Sequence, residues 1–374
     1  MKLSAQPMVH GDDGAIDVAD QAVTENDIGN FPVTARANIG QSLDTTRQAV
    51  AALSAVGITT VGSVVTADDM NRDLDGKPIE NFVRVAPTNT DEARAMVSYL
   101  VDRGYRKAML IHDLNDADSY TRTLASAFSS AYEAKAGAKI AYTNPYRSPG
   151  QELDGTERAQ YMKNQFAHMY NNICSNSPDV ILFAGRSTDL TSFMRAQAEG
   201  GACYISSLDV VTGDDGATIA DKPLPRSDYL QFRVFYTALA HGDQWDTTPR
   251  DSPNRKNYDA FAQRFLAGMF SRDDLADGHA MMSHDAALTA ITAIRQNLFA
   301  VRNPSTVRDS MLNFRCTGTI PGASGAIALE QNGNPTNKAM PIVQIQPDGR
   351  QKQEGLAWPA DAPFDPAALS TCGS

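Results

Sequence analysis

His112 and Asp113 stand side by side at the end of an apolar run, and an imidazole beside a carboxylate is the pairing that general-base hydrolysis uses. No nucleophile motif accompanies them. GxSxG, GxxxxGK(S/T), GxGxxG and HExxH are missing, and residues 322–325 (GASG) precede a hairpin pattern instead of joining a strand to a helix. His279, His284 and Asp285 offer three metal-ligand side chains, but the step of five between the histidines puts them on different helical faces, which reads as a helix start with surface histidines. The four cysteines, Cys174, Cys203, Cys316 and Cys372, form an even count without CxxC spacing. That count suits two disulfides, Cys174 with Cys203 inside one strand-helix unit and Cys316 with Cys372 pinning the tail; four small buried thiols are the alternative. Bridges would imply an oxidising compartment. Two further polar groups follow glycines at once: Arg186, Ser187 and Thr188 after Gly185, and Asp214 and Asp215 after Gly213.

The elements that position these groups alternate. Residues 81–85 read as a short strand closed by Pro87, and Thr88 or Asn89 then caps a helix with Asp91 and Glu92 in its first turn, where carboxylates favour the positive helix end. Ala93, Met96, Val97, Leu100 and Val101 share one face of that helix, and Gly104 stops it. A buried strand at 107–112, a polar loop to 119, a helix at 120–135 and a strand at 139–142 follow. A second series has helices at 161–172 and 189–199 and strands at 179–184 and 205–211. Gly185 and Gly213 thus sit just past strand carboxyl ends, where parallel sheets bind ligands. Residues 242–256 read as a loop, 257–270 and 284–298 as helices, and Asn332-Gly333 as the turn of a hairpin between 325–329 and 340–345. After Pro347 the chain turns polar, as a tail would.

Composition narrows the class. A length of 374 residues with 42% hydrophobic content suits two α/β lobes. A net charge of -11 argues against nucleic acid and anionic membrane surfaces as partners. No apolar run of membrane-spanning length and no signal-like start is present, so a soluble chain is expected.

Residues 38–46 (NIGQSLDTT), 57–66 (GITTVGSVVT), 81–87 (NFVRVAP), 107–120, 179–195, 208–216, 284–294 and 318–333, taken in order, resemble the type I periplasmic binding proteins. These are the branched-chain amino-acid-binding family of ABC importers, with their receptor-domain relatives. The resemblance implies an α/β fold of two doubly wound parallel-sheet lobes joined by a three-crossover hinge. Crossovers would fall near Val85 and Ala86, near 232–235 and near 316–319. Lobe one would be residues 1–85 with 233–316, lobe two 86–232 with 318–347, and 348–374 a tail. The family opens with a central strand, a helix and a second strand, for which this chain has only some 35 residues. The helix at 15–24 fits the end of that region, and either residues 3–9 replace the central strand or the start of the chain is lost.

The resemblance also carries over a site. Thr45 or Thr46, with Ser42 nearby, would bind a ligand carboxylate, and Val64 and Thr66 would offer a backbone group and a hydroxyl to the same head; Thr45 can equally cap its helix. Tyr120 matches the family's aromatic contact, and Asp214 or Asp215 would hold a ligand ammonium or shape a turn. Arg186 departs from the pattern, favouring a ligand with an extra acidic group or a salt bridge across the closed cleft to Asp214. The reading implied is a non-enzymatic, extracytoplasmic protein that clamps a small polar ligand, an amino acid or related acid or amide, without cofactor or metal, for an ABC transporter permease. A sensory domain of the same fold inside a larger protein is the alternative, and a hydrolase at His112 and Asp113 a third.

Overall fold

The computed structural model describes residues 35–37, 42–116, 118–149, 153, 155–199, 208–219, 232–268, 270–297, 304–314 and 318–363. Two sheets organise them. The smaller is parallel, with β1 (Ala35–Ala37), β2 (Thr59–Gly62) and β3 (Phe82–Arg84) in that order. The larger has seven strands in the order β12-β11-β8-β7-β6-β4-β5. Its parallel part is β5 (Lys139–Tyr146), β4 (Lys107–Asp113), β6 (Val180–Ala184), β7 (Leu208–Thr212) and β8 (Phe232–Thr237). Every residue of β6 and β7 is buried, as a strand covered by helices on both faces requires.

Helix α1 (Asp44–Ala55) flanks the small sheet, and α2 (Asn89–Asp102) opens the large lobe. The Thr88 hydroxyl accepts the Asp91 N–H while the Asp91 carboxylate accepts the Thr88 N–H, a reciprocal cap that fixes where α2 begins. Helix α3 (Ser119–Glu133) is capped by Asp118. Helices α4 (Gly155–Ala167) and α5 (Met169–Asn176) replace the single helix expected at 161–172, with the break at His168. Helix α6 (Ser187–Glu199) follows β6. Helix α7 (Pro253–Ala267) starts inside the segment that composition reads as a loop, because Ser252 caps it and Pro253 fits its first turn. Helix α8 (His279–Gln296) begins five residues before its apolar spacing shows, and α9 (Pro304–Leu312) packs beside it.

The end of the chain differs most from expectation. β10 (Gly325–Ile327) pairs with β9 (Ile320–Gly322), so residues 322–325 are themselves a hairpin turn, and Asn332-Gly333 closes only a local turn with Gly333 at φ +83°. β11 (Met340–Ile345) instead lies antiparallel between β8 and β12 (Gln351–Ala357). Residues 351–357 of the stretch expected as a tail therefore form an edge strand, half-exposed as an edge allows.

Core membership divides the flanking residues between the two sheets. Val85, Leu239, Ile320, Ile327 and Leu329 pack in the core of the small sheet, whereas Ala93, Ala238 and Met340 pack against the large one. β9 and β10 thus belong with the small sheet, and the strand β8 lies wholly in the large sheet.

Candidate functional site

The carboxyl ends of both parallel sheets face each other. From the small lobe, the Ser42 hydroxyl accepts the N–H groups of Thr66 (2.7 Å) and Ala67 (3.0 Å), which fastens the loop after β2 to the start of α1. The buried Arg84 guanidinium holds the same loop from below through the carbonyls of Val65 (3.0 Å) and Ala67 (2.7 Å). Thr66 is thereby held at the mouth, its hydroxyl 3.5 Å from the Asp214 carboxylate of the other lobe. Val64 is half-buried against the small-sheet core. Thr45 does not cap α1: Leu43 occupies the cap position without a side-chain bond. The Thr45 hydroxyl is buried and has no hydrogen-bond partner among the described residues, whereas Thr46 is packed inside.

From the large lobe, Asp118 accepts the Tyr120 N–H (3.0 Å) and takes Arg186 in two bonds of 2.7 and 2.8 Å. The Arg186 guanidinium lies 4.5 Å over the Tyr120 ring, 3.5 Å from Asp215, and reaches the Ser42 carbonyl across the cleft at 3.5 Å. Two carboxylates thus occupy its charge. The expectation of an extra acidic group on the ligand loses its basis, and the cross-cleft partner of Arg186 is Ser42 instead of Asp214.

The two adjacent acids divide their tasks. Asp215 accepts the Ser187 N–H at 2.6 Å and so secures the start of α6. Asp214 is buried, and burial pushes its carboxyl up to about 6, opposed by His279 and Arg186 facing it. Its own N–H donates to Glu92 Oε2 at 3.0 Å, and Tyr120 bonds its side chain. Gly213 is required beneath them, since a Cβ there would lie 2.5 Å from the Tyr120 hydroxyl and 2.6 Å from Glu92 Oε2.

Three of these residues escaped the sequence reading. Glu92 carries a signal, because it falls four residues before Met96 on the apolar face of α2, where a carboxylate is out of place. Asp118 is legible as a helix cap but not as the Arg186 partner. His279 reads as an ordinary helix-start residue, yet it faces Asp214 from the small lobe.

The residues of the alternative chemistries are engaged in structural contacts among the described residues. Asp113 accepts the N–H groups of Asn115 (3.0 Å) and Ser148 (2.9 Å) and the Ser148 hydroxyl (2.5 Å), so it braces a loop beside a half-buried His112. Asp285 accepts the N–H groups of Ala323 (2.7 Å) and Ser324 (2.9 Å) and pairs with His284 (2.8 Å), while His279 turns to Asp277 (3.3 Å). Among the described residues no three His, Cys, Asp or Glu side chains form a group able to hold a metal. Cys174 is disulfide-bonded, but Cys203, Cys316 and Cys372 lie outside the described residues, as does the region before residue 35 apart from its sequence. No described helix is long and apolar enough to cross a membrane.

The sequence matches no family model and no curated protein. Solved structures do match. An ABC transporter substrate-binding protein from Desulfitobacterium hafniense, in complex with Leu, aligns with TM-score 0.68 at 15% identity over 94% of this chain and 88% of its own. A leucine-binding protein from Thermotoga maritima aligns at 0.67 and 15%, over 95% and 87%. A solute-binding protein of an R. palustris ABC transporter, in complex with benzoate, aligns at 0.63 and 14%, over 92% and 82%. The likeness establishes the fold: the chain has the two-lobe α/β architecture of type I periplasmic binding proteins.

Proposed function

We propose that the chain is a non-enzymatic, extracytoplasmic solute-binding protein that closes its two lobes on a small zwitterion, an amino acid or a close relative, and presents it to an ABC importer. The observation that carries this reading is the approach of Thr66 and Asp214 from opposite lobes to 3.5 Å. One side of that point holds anion-binding groups. The start of α1 has no side-chain cap from Leu43, and the Thr45 hydroxyl, without a partner among the described residues, stands in its first turn, which suits a carboxylate. The other side holds the Asp214 carboxyl with Tyr120 beside it, which suits an ammonium group. The fold shared with proteins solved in complex with leucine and with benzoate supports a ligand of that size.

In this reading the lobes are joined at residues 85–88, at Ala238 and between 329 and 340. The Cys174 bridge goes to Cys203, consistent with export, and a Cys174–Cys203 peptide recovered by non-reducing mass spectrometry checks that pairing. The function is tested by a thermal-shift screen against amino acids, benzoates, small dicarboxylates and sugars. A ligand at a hundredfold its Kd adds about 2.7 kcal/mol of stability, a shift of several degrees. The expected result is a shift with an amino acid that disappears in Thr66→Ala and Asp214→Asn. A shift that survives both substitutions places the ligand elsewhere and defeats the reading.

A further inference from the structure

Glu92 is fully buried behind the cleft, and the proposed amine contact at Asp214 does not use it. Its Oε2 accepts two hydrogen bonds, from the Asp214 N–H and from the Thr237 hydroxyl, both at 3.0 Å. Its Oε1 is buried with no partner among the described residues. A buried oxygen that accepts no hydrogen bond is a poor place for a share of negative charge, which favours the neutral form of the Glu92 carboxyl. The Asp214 carboxyl, also buried, stands on the residue whose amide Glu92 holds, and it interacts electrostatically with Glu92.

The surroundings do not neutralise two anions. Asp68 from the small lobe acts on Glu92 and Asp215 from the large lobe on Asp214, and both add negative charge. Of the cations, Arg84 is committed to backbone carbonyls and Asn334, Arg186 to Asp118 and Asp215, and His279 faces Asp214 while pairing with Asp277. The Tyr120 phenol, itself pushed up by burial and then by Asp214, contributes a neutral hydroxyl. Two buried carboxyls on residues joined by a 3.0 Å hydrogen bond resist ionising together, so they titrate as a unit.

We propose that Glu92 and Asp214 form a two-carboxyl unit that carries one proton in the unliganded protein and releases it when an ammonium group seats against Asp214. The release rests on the amine-binding reading above; the shared proton does not. The step is an acid–base exchange in which an O–H bond of the unit breaks and the proton passes to a buffer base. The unit goes from one negative charge to two, and the incoming ammonium restores the balance. Burial supports the assignment, raising Glu92 well above the ordinary carboxylate range and Asp214 to about 6. Below the upper titration of the unit, affinity for an amine falls about tenfold per pH unit.

Carbon-13 carboxyl NMR of the full chain, labelled at Asp and Glu and assigned with Glu92→Gln and Asp214→Asn, reads the unit without any ligand. Gln keeps the acceptor that Asp214 N–H and Thr237 need, and Asp214→Asn serves should Glu92→Gln fail to fold. One strongly raised titration in the wild type, with the surviving carboxyl moving down in either variant, is the expected result. Two titrations near about 4, the ordinary carboxylate value, overturn the unit. Calorimetry with L-leucine in phosphate and in Bis-Tris then counts protons at pH 6. Release approaching about one proton per L-leucine bound, lost in Glu92→Gln, upholds the exchange, and binding without release overturns it. If L-leucine does not bind, the carboxyl titration alone decides on the unit, whatever becomes of the amino-acid reading.

Discussion

Arg122 of α3 and Asp69 of the 3-10 helix Asp68–Asn71 meet at 2.7 Å across the mouth of the cleft. The bond belongs to a chain of contacts between lobes. Asp69 also takes Arg47 at 2.6 Å, Arg47 pairs with Asp44 at 3.1 Å, and the Ser119 hydroxyl donates to Asp44 at 2.9 Å. Closure is therefore supported by polar groups of which Asp44 and Ser119 border the proposed ligand site, while Arg122 and Asp69 are not among its contacts.

The Arg122 side chain is 41% exposed, so the pair is worth at most about 1 kcal/mol after solvent screening. That still corresponds to roughly a fivefold change in the open-to-closed ratio, by the tenfold-per-1.4 kcal/mol rule. Arg122→Ala is expected to raise the radius of gyration in small-angle scattering and to weaken ligand binding about two- to fivefold. High salt is expected to reproduce both effects in the wild type and to add little in the variant. An unchanged scattering curve at all ionic strengths would show that the contact does not hold the lobes together.

Arg186 and Asp118 form a polar contact within the large lobe, and here geometry matters more than charge. A lysine retains the charge but cannot reproduce two parallel bonds to Asp118 together with stacking over Tyr120. Arg186→Lys is expected to cost about 1.5–3 kcal/mol, read as a lowered urea midpoint at unchanged m-value.

Much of this architecture is legible in the sequence because the large sheet is parallel and buried. β4, β6 and β7 are legible as buried strands, and the choice of Thr88 or Asn89 as cap places the start of α2 to within one residue, which the structure settles at Thr88. β12 is not legible, since an antiparallel edge strand with solvent on one side needs no apolar run and QKQEGLA has none. The site is half legible. Glycines past strand ends mark Arg186 and Asp214, but only the backbone direction after Gly213 makes Asp215 the cap of α6 and leaves Asp214 facing Thr66. The partnership of Glu92 with Asp214 spans 122 positions and has no local signature.

Asp189 gives the stability a pH dependence of known sign. It is buried against the Tyr146 hydroxyl at 3.2 Å and Arg158 at 2.9 Å, and burial raises its carboxyl to about 6. The unfolded chain holds this proton only below about 4, so between about 4 and 6 the native state binds more protons. Stability from this group is present below about 4 and falls as pH rises through about 6, by an amount on the order of 2 kcal/mol. Asp189→Asn is expected to flatten that part of the Tm-against-pH profile relative to wild type. A variant profile parallel to the wild type would remove Asp189 as the cause.

Gly333 closes the turn that starts at Glu330, at φ +83°, which L side chains rarely adopt. Its carbonyl accepts the Arg84 N–H at 2.9 Å, and Arg84 Nε donates to Asn334 at 2.8 Å, so the turn and β3 hold each other. A Cβ at Gly333 would lie 2.6 Å from the Phe82 carbonyl oxygen and 3.2 Å from Val83 Cα, both backbone atoms that cannot swing aside. Gly333→Ala must therefore accept the strained φ and also push the turn off β3. Strain and displacement together predict a loss of about 2–4 kcal/mol. Because Arg84 also holds the Thr66 loop, the damage is expected to spread. Amide exchange at residues 63–68 should quicken along with exchange at 330–336, while β6 and β7 keep their protection. Faster exchange confined to the turn would show that Gly333 serves only its own loop, and that the path through Arg84 to Thr66 carries no strain.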